Sequence, residues 1–237
     1  LQNELNTIIK LKQEKIRNTK LRTLMSKIQS LRFLDPACGC GNFLIITYRE
    51  IRRLELQILQ AQQKNTEQIH IDIDIDPQIL LNNFYGIEIE QWPAKIAEVA
   101  MWLTQHQMNV EFAKAFGREP DLLPLKEHAN IHNANALETD WAAVVEKNRL
   151  NYIIGNPPFV GSKYQSKEQK SLQINTFGNL KNAKQLDFVA NWFYKAAQFI
   201  QSSTIDCAFV STNSITMGEQ VSTLWQPILD MGMSLHF

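Results

Sequence analysis

The stretch "NYIIGNPPFVGSKY" holds the residues with the clearest chemical purpose. A strand-like apolar run, Tyr152 to Ile154, breaks at Gly155 into Asn156, Pro157, Pro158 and Phe159. Two consecutive prolines cannot continue a strand, so the backbone beyond Asn156 is locked. Asn156 offers a side-chain carbonyl. Pro157 offers a backbone carbonyl with no amide hydrogen of its own. Two fixed acceptors converging on one point suit an amino group with two hydrogens, and Phe159 gives an aromatic base a flat surface to stack on. A plain strand terminator with a core Phe is the simpler alternative.

A second cluster is "LRFLDPACGCGNFL" (31–44), read as a short strand, a Gly-rich turn and the start of a helix. Gly39 and Gly41 allow a tight turn and close approach to a ligand. The dinucleotide fingerprint G-x-G-x-x-G is incomplete, because Leu44 stands where the third glycine belongs. Asp35 beside the turn is wrong for a pyrophosphate and suits a ligand with a cationic amine. Glu88, closing the next strand, stands where a carboxylate accepts bonds from ribose hydroxyls. Asn135 ends the third strand in this reading and could face the base of the same nucleoside, with Asn133 as a rival. Cys38 and Cys40 have no second Cys/His pair to complete a metal site, so no metal is expected.

The elements that must position these residues alternate. Strands are expected at 31–35, 69–76 ("IHIDIDID"), 83–90, 129–135, 150–155 and 206–215 ("DCAFVSTNSI"), and "SLHF" is expected to start another. Helices are expected from about Asn42 to Gln63, from Trp92 to Asn109, over "LDFVANWFYKAAQFI", and over "GEQVSTLWQPILDMG". Residues 1–30 read as one Lys-rich packing or connecting helix. Residues 111–128 and 160–182 read as irregular polar connections. Three aspartates in 69–76 suit a solvated strand edge better than a cation site. The alternation implies an α/β fold with a mostly parallel sheet, whose ligands sit beyond the carboxyl ends of the strands. The 237 residues are 44% hydrophobic and 20% charged, with 24 basic and 24 acidic side chains. That is ample for a core and leaves no global charge signal for nucleic acid. No apolar run is long enough to cross a membrane, and neither a signal peptide nor a disulfide framework is evident, so a reducing, cytoplasmic setting is expected.

"DPACGCGNFL", "FYGIEIE", "GNPPF" and "AFVSTNSI" occur in the order and spacing of the S-adenosylmethionine-dependent amino-methyltransferases of DNA, which this chain resembles. Longer strings, "GIEIEQWPAKIAEVAMWL", "GNPPFVGSKYQSKEQ" and "FVSTNSITMGEQVSTLW", are similar to the MmeI-like fused restriction–modification enzymes of the γ class. The resemblance implies a Rossmann-like class I methyltransferase over residues 31–237. It implies N6-methylation of an adenine flipped out of double-stranded DNA, with S-adenosylmethionine as cofactor. By the same resemblance Asp35, Pro36, Ala37, Cys38, Gly39, Gly41, Asn42 and Phe43 form the first cofactor motif. Glu88 and Ile89, then Asn135 and Ala136, follow as further cofactor contacts. Asn156, Pro157, Pro158 and Phe159 form the catalytic motif. It also implies parent domains outside this chain: a nuclease and another cofactor motif upstream, a last motif and a target-recognition domain downstream. Asn135 departs from the aspartate common at that motif. Glu168-Gln169-Lys170 imitates a nuclease E-x-K, but reads as solvated and predicts no cleavage. Lys163, Lys167, Lys170, Lys181, Lys184 and Tyr164 could line a DNA channel or form an ordinary charged loop. Methyltransferases of RNA or of protein glutamine use the same Asn-Pro-Pro-aromatic pattern and remain alternatives, as does an inactive cofactor-binding fragment.

Overall fold

The structure, a computed structural model, describes residues 1–64, 76–120, 128–178, 180–218 and 220–236. The elements in chain order are α1 (Gln2–Ile9), α2 (Glu14–Ser30), β1 (Phe33–Asp35), α3 (Asn42–Lys64), β2 (Phe84–Glu88), α4 (Gln91–Phe116), β3 (Asn130–Asn133), α5 (Trp141–Val144), β4 (Tyr152–Gly155), α6 (Lys167–Phe177), α7 (Ala190–Ile200), β5 (Asp206–Phe209) and α8 (Gln226–Asp230). The strands form one parallel sheet in the order β3-β2-β1-β4-β5. Strand order therefore reverses between β1 and β4, which opens a crevice at their carboxyl ends.

Alternation along each strand sends side chains to two cores. Leu34, Ile87 and Ile153 enter one core with Trp141, Phe188 and Trp192. Phe33, Phe84 and Leu44 enter the other with residues of α1 to α4. On that second face the register places Phe33 opposite both Phe84 and Tyr152. The three rings stack with centroids 5.1 and 5.4 Å apart, an aromatic ladder across the centre of the sheet. A third cluster, including Phe177, Leu186, Val189, Leu224 and Ile228, joins α6 and α7 to the C-terminal turns.

Several expectations are corrected. Residues 1–30 are two helices broken at Lys10–Gln13, not one. Glu4 and Lys27 form a 2.9 Å ion pair, whereas a continuous helix would hold them roughly 35 Å apart. Arg17 stabilises the break by donating to the Leu11 carbonyl. The fourth helix continues to Phe116, into the stretch expected to be irregular. Segment 160–182 is not a loop: it contains α6, whose first turn is closed by a capping box between Ser166 and Gln169. Two buried glutamines hold this segment down, since Gln165 and Gln173 both donate to the Leu186 carbonyl at 3.0 Å. The C-terminal helix is split into a π-turn, Val221–Trp225, and α8. Ser234 to His236 form no strand. The strand expected at 69–76 lies, apart from Asp76, outside the described residues. Among the described residues no helix is long and apolar enough to cross a membrane, and no group of His, Cys, Asp or Glu is arranged to hold a metal ion.

Candidate cofactor and substrate site

A cavity of about 530 Å³ lies at the crevice. That size suits a nucleoside-sized ligand. Pro36 and Ala37 line it after β1, Glu88 and Ile89 at the end of β2, Ala134 to Ala136 after β3, and Asn156 and Pro158 after β4. Eight residues singled out in the sequence, from four separate segments, thus share one space: Pro36, Ala37, Glu88, Ile89, Asn135, Ala136, Asn156 and Pro158.

The turn after β1 is fixed from both sides. Cys38 N–H donates to the Ile87 carbonyl at 3.1 Å, and the Trp192 indole N–H of α7 donates to the Pro36 carbonyl at 3.0 Å. Gly39 and Gly41 have φ of +54° and +87°, as the tight turn requires. The Gly39 N–H donates to one Glu88 carboxylate oxygen at 2.9 Å, and the Glu90 N–H to the other at 2.8 Å. Each oxygen keeps a free lone pair, so the carboxylate is oriented while still able to accept from a ligand.

Asp35 is placed differently from the expectation that it faces a ligand. It is 1% exposed, lies beneath the turn, and does not line the cavity. Its Oδ1 accepts from the Ala37 N–H at 3.0 Å. Burial pushes its carboxyl up to about 7; the Ala37 bond opposes that shift and the Glu88 charge adds to it. The same carboxyl explains the glycine of "GNPPF". A Cβ on Gly155 would stand 2.6 Å from Asp35 Oδ1, so only glycine lets the two strand ends approach this closely.

Cys38, Gly39, Gly41, Asn42 and Phe43 likewise do not line the cavity. Cys38 is buried, and burial pushes its thiol well above the usual range, an inert packing thiol. Asn42 and Phe43 begin α3. Asn135 lies two residues beyond the end of β3 rather than at it. Its amide is used locally: Nδ2 donates to Glu138 at 2.7 Å and Oδ1 accepts from the Leu137 N–H. Asn133, its rival, is an internal tie, donating to the Glu88 and Ile89 carbonyls.

Asn156 is exposed at the end of β4 and lines the cavity, and among the described residues its amide has no hydrogen-bond partner. Pro157 is buried. Phe159 is 58% exposed and lies outside the cavity lining. The loop that carries them is held at both ends. Val210 N–H donates to the Gly155 carbonyl and Phe188 N–H to the Val160 carbonyl, both at 2.9 Å.

Seven lining residues were not foreseen: Ile87 of β2, Ala134 after β3, Glu168, Gln169 and Leu172 of α6, Phe188, and Trp192 of α7. The capping-box pattern Ser-Lys-Glu-Gln (166–169) signals that helix start in the sequence. Phe188 and Trp192, four apart, read simply as a core pair. Glu168 is an exposed carboxylate lowered from its ordinary range by the Ser166 hydroxyl and by backbone hydrogen bonding. The exposed lysines Lys163, Lys167, Lys170, Lys181 and Lys184 surround this segment.

A family model described as "MmeI, DNA-methyltransferase domain" matches residues 11–237. A solved structure of the type IIL restriction-modification enzyme MmeI in complex with DNA superimposes with a TM-score of 0.87 and 49% identity, covering 97% of this chain and 30% of that one. "DNA methyltransferase A" of Bacillus subtilis (strain 168) is 41% identical over 223 residues, 92% of this chain and 25% of the relative. A putative type II restriction enzyme and methyltransferase of Methanocaldococcus jannaschii is 31% identical over 121 residues, 49% of this chain and 9% of the relative. The chain spans a third or less of the length of each of these relatives.

Proposed function

The chain belongs to the family of MmeI DNA-methyltransferase domains, and from that premise we propose that it methylates the N6 amino group of adenine in DNA, with S-adenosylmethionine as methyl donor, as the modification part of a restriction–modification enzyme. The observation that carries the reading is the shared cavity. Glu88, suited to a ribose, and Asn156, suited to an amino group, line one space on either side of β1.

The residues present fit the cofactor. The backbone-held Glu88 carboxylate would accept from the ribose hydroxyls, and Ile89, Ala134 and Ala136 give a purine ring an apolar wall. The aromatic side chains of Phe188 and Trp192 add to that apolar lining. When bound, S-adenosylmethionine supplies an electrophilic methyl group on a sulfonium.

The chain's own task is to present the nucleophile. The N6 lone pair of adenine is delocalised into the ring and attacks poorly. Asn156 Oδ1 and the Pro157 carbonyl would each accept one N6 hydrogen, which favours a pyramidal nitrogen with a localised lone pair. No side chain need remove a proton first, because the methylated nitrogen is acidic and loses one to solvent afterwards. The gain comes from fixed acceptors on a loop tied at Gly155 and Val160. Extruding the base costs a few kcal/mol, and stacking on the exposed Phe159 ring offsets about 1–3 kcal/mol of it. Lysines around α6 would meet the phosphates. Nuclease and target-recognition domains are proposed for the longer polypeptide, in line with the restriction enzymes among its relatives.

Calorimetric titration with S-adenosylmethionine, beside Glu88→Ala, tests the cofactor half of the reading. Loss of hydrogen bonds to a charged acceptor predicts roughly ten- to a hundredfold weaker binding in the variant. Equal affinity in the two proteins would rule Glu88 out of the site.

A further inference from the structure

α4 carries two apolar faces. Ala94, Ala97, Met101, Thr104, Met108 and Phe112 are buried against the sheet and α3. The opposite face presents Trp92, Ile96, Val99, Leu103 and Val110 to solvent, with Trp92 80% exposed and the others 40–57%. Their spacing, with His106 in the remaining place, is an unbroken alternation of four and three residues over more than two heptads. That is the seam one helix offers another. Trp102 stands beside the seam, half exposed and stacked on His106. A helix apolar on both faces is normally covered on both.

We propose that this outer face of α4 is the docking seam for a helix from the part of the same polypeptide that lies outside residues 1–237. The similar MmeI structure and the Bacillus relative are each more than three times longer than the portion this chain matches, so these relatives carry a large amount of further chain outside it. The seam offers no cationic stripe. Lys95, a charge at its flank, is paired with Glu98 at 2.9 Å, and Ala100, Gln107 and Asn109 fill other flanking places. DNA, which needs Lys and Arg against its phosphates, therefore does not suit this face. An apolar helix does, and a tryptophan on the seam, Trp92, with a second, Trp102, at its flank, supplies the kind of anchor such an interface uses. Continuity with the cavity points the same way. Ile89, two residues before α4, is 61% exposed and lines the cavity, so a helix seated from Trp92 onward would flank the cofactor's open side beside Glu88. This docking does not depend on which nucleobase, or which cofactor, the site takes.

Hydroxyl-radical footprinting of the native polypeptide isolated from cells, free of DNA, combined with cross-linking from Lys95, reads the seam directly. The expected result is that Trp92 and Trp102 are protected about tenfold or more relative to free tryptophan, as at a dry interface core. This protection should be independent of protein concentration, and Lys95 should cross-link to a residue outside 1–237 of the same chain. Leu103→Glu, at an exposed seam position, should restore labelling of Trp92. Labelling of Trp92 within about twofold of free tryptophan, as its exposure alone dictates, would overturn the proposal. So would protection that appears only as concentration rises, with cross-links between two copies, or cross-links confined to residues 1–237.

Discussion

Replacing Asp35 by Asn changes the pH dependence of stability in a direction fixed by where the carboxyl sits. Asp35 is buried, and its carboxyl is raised from 3.8 to about 7, mainly by desolvation. Between those two values the folded protein holds a proton that the unfolded chain has released. Stability from this group is therefore full below pH 4, falls as pH rises toward 7, and is level above that. A shift of that size corresponds to about 4 kcal/mol. Asn cannot ionise and keeps the Oδ1 acceptor for the Ala37 N–H. Its new N–H donors have no evident acceptor and cost about 1–3 kcal/mol, but at every pH alike. Other carboxylates contribute equally to both proteins. The difference in unfolding free energy, Asp35→Asn minus wild type, should thus rise by several kcal/mol from pH 4 to 7 and then flatten. Urea unfolding across pH 4–8 measures it. A difference that stays flat across that window would refute the buried, proton-holding Asp35.

Phe159→Ala should weaken binding of DNA carrying an unpaired target base by roughly 1–3 kcal/mol while S-adenosylmethionine binding is unchanged. Parallel fluorescence and calorimetric titrations check this, and equal effects on both ligands would remove its stacking role. Gly155→Ala should destabilise the fold by about 1–3 kcal/mol, because its Cβ would meet Asp35 Oδ1 at 2.6 Å. Thermal unfolding of Gly155→Ala beside Gly155→Ala/Asp35→Ala measures it, and no relief in the double variant would mean that the contact is not the cause.

The sheet and the crevice were legible because strand, Gly-rich turn, helix and acid recur in a fixed order. Glu88 and Asn156 stand at strand ends in the sequence, and strand ends converge in any parallel sheet. What was misread has local causes. Polar composition concealed α6, although Ser166 and Gln169 spelled its cap. Gln165 and Gln173 look solvated in sequence, yet they are buried because backbone carbonyls receive their amides. A helical period runs through residues 1–30, but hydrophobic spacing cannot tell one long helix from a hairpin whose halves enter the same core. Asp35 was expected to meet a ligand; its burial depends on Gly155, far along the chain, leaving room for it. Trp192 was hidden for a similar reason: its bond to the Pro36 carbonyl exists only once α7 has packed.

Nucleoside analysis of DNA after incubation with the native enzyme and methyl-labelled S-adenosylmethionine, beside Asn156→Ala, tests the central claim most directly. The account predicts label in N6-methyladenine, near-abolished in the variant while the variant still binds the cofactor. Label in another nucleoside or in none, or an Asn156→Ala enzyme as active as wild type, would contradict it.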